Sequence, residues 1–69
     1  MNLRATILGL LPSTGHSMTR ELAARAAAPV PEVFRELTQL ESEGAVTRRL
    51  GIASIANVGW SRAAHEVAQ

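Results

Sequence analysis

The sequence predicts a small α+β domain, mainly α, in which three helices are followed by a C-terminal two-stranded β-hairpin. Three observations carry that expectation. Apolar residues recur at helical spacing through three stretches. Breaks containing proline or glycine separate those stretches. Beyond Gly44 the helical pattern gives way to β-branched residues set between the glycines at 51 and 59.

Taken in order, the first helix runs over 2–11. Asn2 supplies its cap, and Leu3, Ile7, Leu10 and Leu11 share a buried face. Pro12-Ser13-Thr14-Gly15 is turn chemistry. The second helix runs over 19–27, with Thr19 as N-cap and Glu21 placed well against the helix dipole. Leu22, Ala23 and Ala26 give it a thin apolar stripe whose small side chains let another helix come close. It ends in Ala27-Ala28-Pro29-Val30-Pro31, because a residue before proline is pushed out of helical angles. Pro31 suits the first position of a third helix over 31–43, where the missing N–H costs nothing. Val33, Leu37 and Leu40 face inward, and Gly44 supplies a left-handed stop. A hairpin over 45–60 pairs 46–50 with 55–60. Ser61 then caps a last helical turn in a short tail over 61–69.

A chain of 69 residues forms one domain at most and buries only about 60% of its unfolded surface. With Phe34 and Trp60 as the only aromatics, alanine, leucine, isoleucine and valine must do most of the packing. There is no cysteine and no aspartate, and His16 and His65 stand far apart. Disulfides and thiolate metal sites are therefore excluded, and no metal or other cofactor is expected. The apolar stretch over 7–11 is too short to cross a bilayer, and the start of the chain has no signal-peptide architecture, so a cytoplasmic location is expected. The formal net charge is +1, with seven arginines, six glutamates and no lysine. Arginine makes forked contacts to phosphate and guanine that lysine cannot, but a GC-rich coding sequence also favours arginine. The arginines therefore carry weight only where they cluster.

Residues 19–49 read TRELAARAAAPVPEVFRELTQLESEGAVTRR. A Glu-Leu-Ala second helix, a short turn, and a third helix ending in Leu-Glu-x-Glu-Gly before two apolar residues resemble the winged helix-turn-helix superfamily. LESEGAV is the most specific part, and the resemblance extends over roughly 3–62. Small winged-helix regulators of bacterial operons are similar in length and layout. The resemblance implies a three-helix winged helix-turn-helix with the C-terminal two-stranded β-hairpin as its wing. It further implies a bacterial or phage transcriptional regulator that binds double-stranded DNA sequence-specifically, with the third helix in the major groove.

The positions that the resemblance leaves exposed on that helix are Glu32, Phe34, Arg35, Thr38 and Gln39. Arg35 can fork onto guanine or hold a phosphate, or pair with Glu36 or Gln39 on a solvated face. Gln39 matches adenine, and Thr38 reaches a base or the backbone. Glu32 either accepts from cytosine or satisfies the helix dipole. Phe34 meets a thymine methyl, meets a partner protein, or folds back over Val30 into the core. Arg20 touches phosphate at the start of the second helix, or pairs with a glutamate. Arg48 and Arg49 are adjacent on a strand and point to opposite sides, so one can face DNA. The chain departs from the superfamily pattern where Ala27 replaces a usual glycine, and where Pro29 and Pro31 replace helix-starting hydroxyl residues that commonly touch phosphate.

The expected wing, GIASIANVG, is almost uncharged, whereas wings that enter a minor groove present Arg or Lys. Ile52, Ile55 and Val58 instead offer an apolar surface for a homodimer or a partner protein. A winged-helix protein-interaction module that binds no DNA is the rival reading. Catalysis is not expected. Ser13, Thr14, His16 and Ser17 have no acidic partner or oxyanion turn, and read as a loop.

Overall fold

In the computed structural model, which describes residues 2–12, 14–49 and 54–63, the first helix begins at its expected cap. The Asn2 side-chain oxygen accepts from the Ala5 N–H at 3.2 Å, and α1 spans Leu3–Leu10. Ile7 and Leu11 turn into the core. After it come a short strand β1 (Ser17–Met18), α2 (Thr19–Ala26), α3 (Val30–Ser42), β2 (Val46–Arg48), a 3-10 turn (Ile55–Asn57) and β3 (Gly59–Arg62). The described residues form a mostly helical α+β domain with a three-stranded antiparallel sheet.

That sheet corrects the expected two-stranded hairpin. Its order is β1-β3-β2, so β3 is central and Ser17–Met18 supplies a second partner. Ser17 lies opposite Trp60 and Met18 opposite Gly59, while Val46, Thr47 and Arg48 lie opposite Arg62, Ser61 and Trp60. A two-residue strand is too short to show alternation, so no period marked it in the sequence. The first strand begins at Val46 as expected, but the second begins at Gly59 rather than Ile55, because the Ile55–Asn57 stretch turns instead of pairing. Ser61 lies inside β3 and caps nothing.

Two helix ends use the same device with different residues. At the end of α3, Gly44 has φ +84°, its N–H reaches the Glu41 carbonyl at 3.0 Å, and the Ala45 N–H reaches Leu40 at 2.9 Å. This paired closure satisfies carbonyls the helix leaves open, and glycine enters the left-handed region at no steric cost. At the end of α2 the equivalent bonds run from Ala27 to Ala24 at 3.3 Å and from Ala28 to Ala23 at 3.1 Å. Here the left-handed position is Ala27, at φ 56° and ψ 44°. An alanine there carries a Cβ against the carbonyl.

Leu22, Val33, Leu37 and Leu40 meet in one fully buried cluster, as the helical spacing predicts. Ile7, Leu11, Ala23, Val46, Val58 and Trp60 complete it. Thr19 is not the cap of α2 but its first residue, fully buried, and Met18 precedes it. Likewise α3 starts at Val30, one residue ahead of Pro31. Arg62 reaches from β3 to the end of α1, donating to the carbonyls of Leu8 at 2.6 Å and Leu11 at 3.0 Å. A cation there complements the negative end of the helix dipole. Arg4 and Glu43 form an exposed two-armed ion pair, one arm at 3.0 Å, that joins α1 to the end of α3. The hydrogen bond from Arg4 holds the Glu43 carboxyl below its ordinary range.

Ala27→Gly removes roughly 1–2 kcal/mol of strain and adds about 0.5–1 kcal/mol of unfolded-chain entropy. Urea unfolding is expected to show a net gain between about 0 and 1.5 kcal/mol. A clearly lower midpoint contradicts the assignment of left-handed strain at this residue.

Candidate functional site

The inward side chains of α3 fix which residues point outward. With Val33, Leu37 and Leu40 fully buried, Arg35, Thr38, Gln39 and Ser42 fall three and four residues apart on the opposite, exposed face. Together with Pro31 and Phe34 they line a shallow groove of about 480 Å³. Glu32 is exposed in the first turn, beside that groove, where its charge suits the helix dipole.

Phe34 resolves into a half-buried anchor. Its ring stands edge-on to Trp60, with centroids 5.7 Å apart and planes at 68°. It packs on the core through Trp60 and still forms part of the groove wall. Arg48 covers both rings, its guanidinium carbon 5.3 Å from the Phe34 centroid and 5.0 Å from that of Trp60. It also donates to Glu41 at 3.1 Å. Cation–π contact and ion pairing tie Arg48 to α3 and hold it beside the groove. Arg49 follows on the other side of the strand, next to Gly59 and His16. The two arginines thus face opposite ways, as strand alternation requires.

Arg35 stays available. Among the described residues the ion pairs are Arg4 with Glu43 and Arg48 with Glu41, and neither involves Arg35. Arg20 donates from Nε to the Asn57 side-chain oxygen at 3.3 Å rather than to a glutamate. Thr38 spends its hydroxyl proton on the Phe34 carbonyl at 2.9 Å, and Ser42 donates to the Gln39 carbonyl at 2.7 Å. Both hydroxyl oxygens therefore face a ligand as acceptors unless those bonds break. Ser42 and Pro31 were not among the sequence candidates, although seven residues from Arg35 to Ser42 is a helical repeat that points to the former.

The apolar surface expected on the hairpin is reduced. Val58 is 6% exposed and packs in the core, and its carbonyl accepts from the Thr19 hydroxyl. It cannot serve as a surface contact. Ile55 is 39% exposed on the 3-10 turn. Ile52 lies outside the described residues.

Beneath this surface lies a buried polar bridge. The Trp60 indole N–H donates to the Thr19 hydroxyl at 2.8 Å, and that hydroxyl donates to the Val58 carbonyl at 3.1 Å. The Thr19 backbone N–H reaches the same carbonyl at 2.9 Å. The bridge fixes the start of α2 against β3 and sets the plane of Trp60, on which Phe34 and Arg48 rest. No group of three or more metal-ligating side chains occurs among the described residues. No helix there is long and apolar enough to cross a membrane.

Thr19→Val keeps the shape but leaves the buried indole N–H unpaired, at an expected cost of about 1–3 kcal/mol. Thr19→Ser, which keeps the hydroxyl, is expected to lose clearly less. Equal losses in the two variants, measured by chemical unfolding, count against the bridge.

Compared with known protein families, curated proteins and solved structures, the chain matches none of them.

Proposed function

We propose that this chain is a winged helix-turn-helix protein that binds double-stranded DNA sequence-specifically, as a transcriptional regulator working in the cytoplasm. The exposed face of α3 enters the major groove. The observation that carries this reading is the strip of Arg35, Thr38, Gln39 and Ser42 on a helix whose other face is fully buried. An arginine with no ion-pair partner among the described residues and a glutamine one turn away are the side chains that pair in forked fashion with guanine and adenine. Residues 27–29 make the turn between α2 and α3, and Ala27 takes left-handed angles at the position where the superfamily pattern has glycine. The order helix, strand, helix, helix, strand, strand also accommodates the reading, with β2 and β3 as the strands of the wing.

Arg20, on the first turn of α2, keeps its terminal nitrogens for a phosphate while Nε holds Asn57. With a formal charge of +1, one copy attracts DNA weakly, so two copies on one duplex fit the reading better than one. The second reading is a protein-interaction module. It draws on the Pro31 and Phe34 lining of the groove and on exposed Ile55.

Selection from a pool of random duplexes at low salt tests the proposal. Enrichment of a common sequence is expected. On that sequence Arg35→Ala is expected to cost about 1–3 kcal/mol and to relax preference at one base pair. Arg20→Ala is expected to weaken all duplexes alike and to reduce the salt slope by about one. A pool that stays unenriched, with no binding at low salt, defeats the DNA reading and leaves the protein-interaction module.

A further inference from the structure

The outer face of the sheet, away from the Trp60 side, carries a second constellation. His16 precedes β1, and the pairing of Ser17 with Trp60 and Met18 with Gly59 brings it over β3. Gly59 makes the space: a Cβ there would lie 2.8 Å from the His16 Cδ2 atom and 3.4 Å from the Arg49 Cβ. No real Cβ sits that close to a ring carbon, so the histidine can lie there only because residue 59 is glycine. Arg49 is fixed by its own N–H, which donates to the Gly59 carbonyl at 2.7 Å. Thr14, Gly15, His16, Arg49, Ser61 and Arg62 together line a cleft of about 210 Å³.

The chemistry of that lining has one sign. It contains no carboxylate, and neither Arg49 nor Arg62 takes part in an ion pair among the described residues. Arg62 already commits Nε and one terminal nitrogen to the carbonyls at the end of α1. Arg49 has no such commitment among the described side chains. A forked guanidinium, an imidazole and two hydroxyls on one cleft supply the donors that the oxygens of a tetrahedral anion accept from. A cation would find few acceptors and two positive neighbours.

We propose that this cleft binds a single phosphate-type oxyanion, held by Arg49 and His16 with Thr14 and Ser61 beside them. The ligand is either a phosphodiester of a nucleic-acid backbone or a free phosphate group. The site does not depend on α3 reading DNA, because the sheet itself separates Arg49 from the Phe34 and Trp60 side where Arg48 lies.

The test is titration of the isotope-labelled chain with inorganic phosphate at constant ionic strength, following the amide signals of Gly15, His16, Arg49 and Ser61 by NMR. Saturable shifts confined to these residues are expected. Arg49→Ala, an exposed position, is expected to weaken the binding by roughly tenfold or more, the loss of a charge-assisted hydrogen bond. Gly59→Ala is expected to abolish it by displacing His16, and Arg35→Ala is expected to leave it unchanged. Non-saturating shifts, or shifts equal in wild type and Arg49→Ala, overturn the proposal and mean an adventitious ion only. Adding a short duplex to the phosphate complex separates the two sources. Displacement of phosphate identifies a backbone phosphodiester, and simultaneous binding identifies a free phosphate group; either supports the cleft. Loss of duplex binding in Arg35→Ala with phosphate binding intact bears on α3 alone.

Discussion

Trp60 is the largest fully buried side chain, and it brings a hydrogen-bond donor into the core of a domain with few residues to spare. An indole N–H buried without a partner costs about 1–3 kcal/mol, enough to offset the burial of a whole aliphatic side chain. The Thr19 hydroxyl accepts from it at 2.8 Å and donates in turn to the Val58 carbonyl. Much of the arrangement meets at that bond. β3 begins just after Val58, the first residue of α2 is held against it, and Phe34 and Arg48 pack on the indole. Among the described residues no buried side-chain polar atom is left without a partner. A small apolar core can therefore include this polar bridge without an unpaired group.

The helices were legible because their signals are local. Asn2, Gly44 and the spacing of Val33, Leu37 and Leu40 each act within a few residues of the feature they control. The sheet was not, because its determinants lie far apart in the chain. Thr19 reads locally as a cap, and only contact with residues about forty positions on makes it a buried bridge. For the same reason Val58 reads as surface in an apolar loop and proves to be core. Ser17 and Met18 have no β pattern of their own, and are strand only because β3 offers an edge.

The candidate site divides along the same line. The exposed face of α3 follows from helical geometry once the inward residues are known, so Arg35, Thr38 and Gln39 could be named from the sequence. What each is free to do could not. Arg48 looked like half of a basic pair, but it lies over two aromatic rings and pairs with Glu41, while Arg49 turns to the opposite side. Neighbouring arginines thus serve different surfaces, one supporting α3 and the other facing His16. Phe34 combines alternatives that the sequence left separate: it packs edge-on to the core and still forms part of the groove. The result is a polar strip beside a firm apolar support, the combination expected where a helix must hold its side chains still against a partner.

The proposed role of the outward face of α3 in meeting DNA is open to a direct measurement. It is an NMR titration of the labelled chain with a mixed-sequence duplex at low salt, read residue by residue. The largest shifts are expected at Arg35, Thr38, Gln39 and Ser42, with Val33, Leu37 and Leu40 changing little. Binding that leaves those four signals in place, or no binding at all, contradicts it.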